Sequence, residues 1–375
     1  MTLKDLLLRR ISVAGPISLA EYMAECLMHP ELGYYTTRDP LGGGGDFITA
    51  PEISQMFGEL VGLALAQTWL DIGAPPHVTL AELGPGRGTL MADVLRVAQS
   101  VPGFSEAVRP HLVERSPALR AAQAERVADA VWHDAVSDLP EGPLLLVANE
   151  FFDALPIRQF TRDGTGWCET MVTTSGAALS FARAPSARFA ALDHRLEDTR
   201  PGDIVELCPA LSASVAEIAE RVAQGGGLAL VIDYGGWRSR GDTFQAMQAH
   251  TFVDPLEAPG TADLTAHVDF EVIASAARAV GAEAWGPVGQ GAWLGALGIA
   301  HRAARLAEGM AEGPALEEHL AAFRRLTEAD QMGTLFQAMA LTPPSARPPP
   351  GFQHPAAVAV GASVSPNRSS LRDAP

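Results

Sequence analysis

The segment "LAELGPGRGTL", residues 80–90, combines an acidic residue, Glu82, with three alternating glycines, Gly84, Gly86 and Gly88. An apolar run precedes the glycines and a helix-like pattern follows them, which predicts a strand, a glycine turn and a helix. Such a unit brings backbone N–H groups and a helix N-terminus to the carboxyl end of a sheet, where open α/β sheets bind ligands. Glycines let a ligand approach the main chain closely. The segment therefore predicts a small cofactor lying against bare backbone.

The glycine spacing distinguishes between cofactors. A dinucleotide fingerprint would need Gly or Ala where the chain has Thr89, and a phosphate loop would need a lysine, although Lys4 is the only lysine in the chain. An acidic residue before Gly-x-Gly-x-Gly resembles the first motif of Rossmann-like methyltransferases, in which that residue helps to hold the amino-acid end of S-adenosylmethionine. A zwitterionic ligand with a sulfonium needs acidic partners more than a diphosphate does. S-adenosylmethionine is the predicted cofactor.

Acidic residues also end the next two predicted strands. Glu114 closes "HLVE", where its carboxylate can accept two hydrogen bonds from a ribose diol. Asp134 closes "AVWHD", where it can meet an adenine amino group. One acidic residue at a strand end is more often simply solvated, but three behind a glycine turn favour a nucleoside pocket.

The segment "NEFFDALP", residues 149–156, ends the fourth predicted strand, which faces the transferred methyl group in this class of fold. It supplies Asn149 on the cofactor side, and Glu150 and Asp153 as catalytic candidates. Two phenylalanines between them would exclude water, with core packing as the alternative for one of them. Carboxylates of this kind can grip a protonated guanidinium through its fork of donors.

Two further cofactor-binding candidates, Asp46 and Thr49, belong to the loop after the run Gly42–Gly45. This loop could close over the methionine end of the cofactor. The alternative for Thr49 is a capping box with Glu52, opening a helix that continues past residue 54.

These candidates depend on the elements that carry them. Predicted strands at 78–83, 111–114, 130–134, 144–150 and 228–235 alternate with predicted helices at 89–99, 117–127 and 210–223. This alternation implies right-handed crossovers and a parallel sheet. The predicted fold is α/β, with a Rossmann-like class I methyltransferase sheet, a helical N-terminal region and an inserted α+β region for a substrate or partner.

The domain boundaries follow from breaks in this alternation. We expect a helical N-terminal region with a Gly-rich loop over 1–77, followed by the S-adenosylmethionine-binding core over 78–235 with an antiparallel hairpin at about 156–190. A helical insertion that returns to the sheet should cover 236–330. The last strand should cover 331–341, and a Pro-rich tail should cover 342–375.

Composition excludes several classes of function. The net charge of −17 makes nonspecific binding to nucleic acid unfavourable, because phosphates attract Lys and Arg. Three distant cysteines without a C-x-x-C pair, and histidines without H-E-x-x-H, predict no metal site and a reducing compartment. No apolar run reaches the ~18 residues of a membrane span. No transit peptide is evident, so we expect a bacterial cytoplasm, or the mitochondrial matrix if the source is eukaryotic.

A more specific pattern extends from about residue 15 to about residue 340. The segments "HPELGYYTTRDPLGGGGDFITAPEISQMFGEL", "ELGPGRGTL", "LVERSPALRAAQ", "ANEFFDALPIRQF" and "GTADLTAHVDF" resemble the MidA-like family in the same order. The first of them is the most specific. His267 departs from the acidic residue of some relatives, while Asp269 keeps its place and becomes a third catalytic candidate.

The resemblance implies a class I methyltransferase fold with S-adenosylmethionine as methyl donor. It also implies a protein arginine as acceptor, giving symmetric dimethylarginine on a quinone-side subunit of respiratory complex I during assembly. Two alternatives stay open: a non-catalytic complex I assembly chaperone that keeps the cofactor as a structural ligand, and a small-molecule methyltransferase. A dehydrogenase would require NADH, and not S-adenosylmethionine, to raise the melting temperature.

Overall fold

The computed structural model describes residues 1–37 and 49–353. Within them the helices are α1 Leu3–Ala14, α2 Leu19–Met28, α3 Tyr34–Thr37, α4 Ala50–Ile53, α5 Gln55–Asp71, α6 Thr89–Ala98, α7 Phe104–Ala107, α8 Pro117–Arg126, α9 Leu211–Gly225, α10 Phe270–Ala279, α11 Gln290–Ala296, α12 Ile299–Ala307, α13 Pro314–Thr327 and α14 Met332–Leu335.

The strands in the same ranges are β1 Ile17–Ser18, β2 Val78–Leu83, β3 Val108–Val113, β4 Val131–His133, β5 Leu144–Asn149, β6 Arg158–Asp163, β7 Gly166–Ser175, β8 Ala178–Arg183, β9 Ile204–Leu207, β10 Gly227–Gly236, β11 Gln245–Gln248, β12 Thr251–Val253, β13 Asp263–Thr265, β14 Val268–Asp269, β15 Glu283–Gly289 and β16 Phe336–Thr342.

The main sheet has the strand order β15-β16-β10-β5-β2-β3-β4, with β14 beside the end of β10. The five strands from β10 to β4 are parallel, whereas β16 runs antiparallel between β10 and β15. β2 and β5 are buried along their whole length, as their continuous apolar sequences require of strands covered on both faces. The predicted parallel sheet with helical crossovers is confirmed.

Alternate residues of the parallel strands enter two separate cores. Leu80 of β2 packs in a cluster with residues of α5 and α6 on one face, while Ala81 packs in a cluster with residues of α9 and α10 on the other. This alternation follows from the twofold period of side chains along a strand. The carboxyl ends of β2 to β5 are therefore held between two helical layers.

A second body of the fold contains two antiparallel sheets and the N-terminal helices. One sheet has the order β1-β7-β6-β9 with β8 on β7, and the other has the order β12-β11-β13. Residues of α1 and α2 pack with both sheets in one core that includes Val172 and Leu264. The Tyr22 hydroxyl donates to the carbonyl oxygen of Pro255, which links α2 to the segment before β13.

Several expected elements differ in the structure. The hairpin expected at 156–190 is a three-stranded antiparallel unit, β6 to β8, whose edge is extended by β9. Residues 236–330, expected to be a helical insertion returning to the sheet, also contain β11 to β15. Strands β11 to β14 have four residues or fewer, so an alternating pattern does not stand out in them. The last strand begins at Phe336, after the short α14, and not at residue 331.

Within the described ranges, none of the helices has both the length and the apolar character needed to cross a bilayer.

Candidate functional site

A cavity of about 600 Å³ opens at the carboxyl ends of β2, β3, β4 and β5. Its walls come from the glycine turn after β2, the residues after β3 to β5, helices α2 to α4, and α9. The connections at this edge of a parallel sheet point toward the same space, which is why ligands of open α/β sheets bind there. The cavity is the candidate site.

The glycine turn forms one wall of this cavity. Gly84, Gly86 and Gly88 have φ angles of +56°, +52° and +80°, a region that L side chains rarely adopt. A Cβ on Gly84 would lie 2.8 Å from Cδ2 of Phe151. The carbonyl oxygen of Gly86 accepts a hydrogen bond of 2.7 Å from Gln123 Nε2, which anchors the middle of the turn. The backbone of the turn is thus both bare and fixed.

Glu82 and Asn149 end two adjacent strands and both line the cavity. They are 4% and 8% exposed, respectively. Glu82 Oε2 and Asn149 Oδ1 have no hydrogen-bond partner among the residues that the structure describes. Burial raises the pKa of Glu82 to about 8, against the opposing effect of a backbone hydrogen bond from Met91. Two buried acceptors without donors fit a ligand that brings its own, such as an ammonium group.

Glu114 lines the cavity at the end of β3. Its Oε1 accepts the Ser116 N–H at 2.8 Å, and its Oε2 lies 3.5 Å from Gln123 Nε2. Burial raises the pKa of Glu114. Asp134 also lines the cavity after β4, but its side chain is 71% exposed and pairs with Arg120 at 2.6 Å. Glu114 is therefore held in place at the cavity wall, whereas Asp134 lies at the exposed rim.

Glu150 lines the cavity with a left-handed backbone and a hydrogen-bonded side chain. Its φ angle is +49°, which for a residue with a side chain costs about 1 kcal/mol or more and is characteristic of functional sites. Its Oε1 accepts hydrogen bonds from Ala50 N at 2.8 Å and from Asn149 Nδ2 at 3.1 Å. Burial raises the pKa of Glu150 to about 7; the Ala50 N–H opposes this rise, and the charge of Asp153 adds to it.

Asp233 of β10 holds the turn that contains Glu150. Its Oδ2 accepts the backbone N–H groups of Phe151, Phe152 and Asp153 at 3.2, 2.9 and 3.3 Å. Asp233 is fully buried, and this burial raises its pKa well above the usual value for a carboxyl group. The backbone groups that Asp233 binds lie about 80 residues away along the chain, so no local sequence pattern reveals this role.

Asp153 and Asp269 do not line the cavity, contrary to the catalytic role expected for them. Asp153 is buried behind the Glu150 turn, where burial raises its pKa and the Tyr234 hydroxyl opposes that rise. Asp269 is the N-cap of α10, and its Oδ1 accepts the N–H groups of Glu271 at 2.9 Å and Arg238 at 3.1 Å. Contacts to the protein's own backbone account for Asp269.

Thr49 lines the cavity, but the predicted capping box with Glu52 is wrong. Thr49 is the N-cap of α4 without a side-chain hydrogen bond, α4 already ends at Ile53, and Ser54 caps a new helix by accepting the Met56 N–H at 3.2 Å. Glu52 instead accepts a hydrogen bond from Thr89 at the start of α6. Asp46 lies outside the described residues.

The N-terminal helices supply a wall that the sequence did not predict. Leu27, Met28, Tyr35 and Thr36 line the cavity; Leu27 is buried, whereas Met28 is 46% exposed. The Tyr35 hydroxyl donates to Asp263 Oδ1 at 2.8 Å. Tyr35 and Asp263 are far apart in the sequence, and no local pattern predicts their contact. Ser214 and Glu217 of α9 line the cavity from another side.

His267 lies apart from this wall. Burial lowers the pKa of His267 to about 4, and its ring packs edge-on against Tyr234 at 5.3 Å between centroids. A neutral, packed imidazole suits a structural role. Among the described residues, no group of three or more His, Cys, Asp or Glu is arranged to hold a metal ion.

The arrangement fits a ligand with an ammonium group and a diol. Glu82 and Asn149 offer free acceptors at one point, Glu114 offers a carboxylate at the next strand end, and the glycine turn lies between them. Glu150 also lines the cavity, at the end of β5. These are the residues that would hold S-adenosylmethionine and its acceptor.

Comparison with known proteins gives a family and close relatives. Residues 60–288 match the family model described as "Putative S-adenosyl-L-methionine-dependent methyltransferase". The chain is 36% identical over 370 residues to "Protein arginine methyltransferase NDUFAF7, mitochondrial" of Xenopus tropicalis, covering 90% of this chain and 85% of that protein. It is 38% identical over 366 residues to the protein of the same name from Homo sapiens, with 90% and 82% covered.

Two solved structures from Burkholderia thailandensis are similar over nearly the whole chain. One, bound to S-adenosyl-homocysteine, is 30% identical with a TM-score of 0.79 and covers 91% of each chain. The other, a native structure of an uncharacterized protein of the same superfamily, is 30% identical with a TM-score of 0.80 and covers 94% of each chain.

Proposed function

Because this chain belongs to the family of S-adenosyl-L-methionine-dependent methyltransferases, as its resemblance to the MidA-like proteins implied, we propose that it methylates an arginine side chain of a protein. The class I methyltransferase fold and S-adenosylmethionine as cofactor are confirmed by the family match and by the relative bound to S-adenosyl-homocysteine. The acceptor is the part that we propose. Support for a protein arginine comes from relatives with that name at 36–38% identity.

The observation that carries the proposal is Glu150. It combines a left-handed backbone, a fixed carboxylate and a raised pKa at the edge of the cavity. A guanidinium is always protonated in water, so it must be bound by a carboxylate and lose a proton as it is methylated. A carboxyl group with a pKa of about 7 is suited to accept that proton near neutral pH.

Other residues of this chain divide the work of binding. Glu82 and Asn149 accept the ammonium group, the glycine turn receives the main body of the cofactor, and Glu114 accepts the ribose hydroxyls. When bound, S-adenosylmethionine supplies a methyl carbon that its sulfonium makes electrophilic. Phe151, Leu155 and Pro156 line the cavity beside Glu150 and exclude water, which strengthens the grip of the carboxylate on a cation.

On the resemblance, we further propose that the acceptor arginine belongs to a quinone-side subunit of respiratory complex I and becomes symmetrically dimethylated. A protein substrate agrees with the names of the relatives, which are described as mitochondrial. For a bacterial source we propose the cytoplasm as the location, and for a eukaryotic source the matrix.

The test compares arginine methylation of complex I subunits, by mass spectrometry, in cells with the gene, without it, and with Glu150→Gln. The substituted amide keeps an oxygen for the Ala50 N–H but cannot take up a proton. We expect a dimethylated arginine only with the unchanged gene, because loss of a general base costs about 100-fold or more in rate.

Purified Glu150→Gln should still bind S-adenosyl-homocysteine within about twofold of the unchanged protein, since the residues that hold the cofactor are intact. Lost complex I assembly with unchanged arginine methylation would contradict the proposal and favour an assembly chaperone. Methyl transfer to small molecules but to no protein would favour a small-molecule methyltransferase.

A further inference from the structure

Helix α4 connects two walls of the cavity. At one end, Ala50 N donates to Glu150 Oε1 at 2.8 Å, beyond β5. At the other end, Glu52 Oε1 accepts the hydroxyl of Thr89, the first residue of α6. Arg126 Nη1 of α8 donates to the same hydroxyl at 2.6 Å and lies 3.7 Å from Glu52 Oε1. Glu52, Thr89 and Arg126, the latch triad, thus join α4, the glycine turn and α8.

We propose that Glu52 is a positioning residue for the cofactor, which acts through Thr89 to fix the glycine turn in its binding conformation. The proposal rests on the confirmed cofactor and not on the identity of the acceptor.

The physical reason lies in the turn itself. Three of its five residues from 84 to 88 are glycines with positive φ, and glycine has the greatest conformational freedom of any residue. Such a turn holds a ligand well only if contacts outside it restrict its motion before the ligand arrives. Gln123 supplies one such contact at the carbonyl of Gly86. Thr89, directly after Gly88, is a further point at which the turn is held, and both hydrogen bonds of its hydroxyl belong to the latch triad.

The latch triad is suited to act on binding more than on folding. Its charged members are partly exposed, with 43% of the Arg126 side chain and 18% of the Glu52 side chain accessible. Ion pairs at such positions contribute little to folding stability. Glu52 and Thr89, however, line the cavity. Because this contact contributes little to folding stability and holds the turn at the cavity wall, we expect its loss to lower chiefly the cofactor affinity.

The test measures S-adenosyl-homocysteine affinity of the full chain by calorimetry, together with the melting temperature without ligand. Glu52→Ala and Thr89→Val should each weaken binding by about tenfold. The double variant should bind with the same affinity as the single variant that binds less tightly, because both substitutions remove the same interaction. Glu52→Gln keeps an oxygen for Thr89 and should regain most of the affinity. The melting temperature should fall by no more than about 3 °C.

A matched control is available in the pair Arg238–Glu271. It joins at 2.6 Å, with 38% and 16% of the two side chains accessible, and neither residue lines the cavity. Glu271→Ala should leave S-adenosyl-homocysteine affinity unchanged. In turnover, Glu52→Ala should raise the KM for S-adenosylmethionine and leave kcat within about twofold, which a general loss of folded protein would not do.

Two results would overturn the inference. One is unchanged affinity in both Glu52→Ala and Thr89→Val. The other is an equal loss of affinity in Glu271→Ala, which would reduce the effect to general stability. Should Glu52→Ala fail to fold, Arg126→Gln removes the exposed member of the triad and is expected to weaken binding in the same direction; unchanged affinity there would equally contradict the role of the triad.

Discussion

Asp233 on β10 holds the backbone N–H of Phe152 at 2.9 Å, and the same oxygen receives the N–H groups of the residues on either side. One buried side-chain oxygen thereby accepts hydrogen bonds from three consecutive backbone N–H groups. It also fixes the turn that gives Glu150 its positive φ.

Asp233→Ala should lower the free energy of unfolding by about 3 kcal/mol, because it leaves three backbone N–H groups, two of them buried, without an acceptor. Denaturant titration measures this loss, and methyl transfer should fall with it. Asp254→Ala is the control: its exposed carboxylate accepts the single N–H of Leu256 at 2.9 Å, so less than about 1 kcal/mol is expected. Similar losses in the two variants would show that Asp233 does not hold the turn.

A comparison of Gly84 with Gly164 separates the effect of a left-handed backbone from the effect of nearby side chains. Their φ angles are +56° and +55°, but a Cβ on Gly84 would meet Phe151 Cδ2 at 2.8 Å, whereas on Gly164 it meets nothing within 4 Å. Both Ala variants should lose about 1 kcal/mol of stability through the left-handed backbone. Only Gly84→Ala should also weaken S-adenosyl-homocysteine binding, by about tenfold, measured by calorimetry. If the two variants bind S-adenosyl-homocysteine with equal affinity, Gly84 does not belong to the cofactor-binding wall of the cavity.

Glu82 predicts an unusual pH dependence of stability. Its pKa rises from 4.5 to about 8 on folding, so between these values the native state holds a proton that the unfolded state has released. Stability must then fall as pH rises, by at most about 1.4 kcal/mol per pH unit for this one group. Glu82→Gln should flatten the decline between pH 5 and pH 8.

The measurement is denaturant unfolding at several pH values, with and without saturating S-adenosyl-homocysteine. The ligand's ammonium group should favour the ionised carboxylate, so the difference between Glu82→Gln and the unchanged protein should shrink when the ligand is bound. Parallel curves without ligand would mean that the Glu82 carboxyl is not the group responsible.

The sequence predicted the part of the site that is local in the chain. Glu82 and the glycines follow from a strand, a turn and a helix within eleven residues, and Glu114 and Glu150 follow from strand ends that a parallel sheet brings to one edge. The spacing of apolar residues along the chain was therefore enough to predict the central sheet.

The sequence did not predict the contacts between segments that are far apart in the chain. Tyr35 meets Asp263, and Asp233 meets Phe152, through packing that no short window of sequence records. Asp269 shows the opposite failure: an acidic residue before an apolar helix also fits an N-cap, and the structure gives it that role. Thr49 and Glu52 have the spacing of a capping box, yet the short α4 leaves Glu52 free to reach another helix.

The position of β16 has a consequence for synthesis of the protein. Among the described residues, this strand is the last of the main sheet in sequence, yet it lies inside the sheet between β10 and β15. During translation, one edge of β10 therefore stays unpaired until β16 has been made, and an unpaired strand edge can pair with another chain. A message cut short before codon 336 should yield an aggregating product and not a smaller enzyme, and nascent chains should depend on chaperones until the ribosome has delivered the final strand.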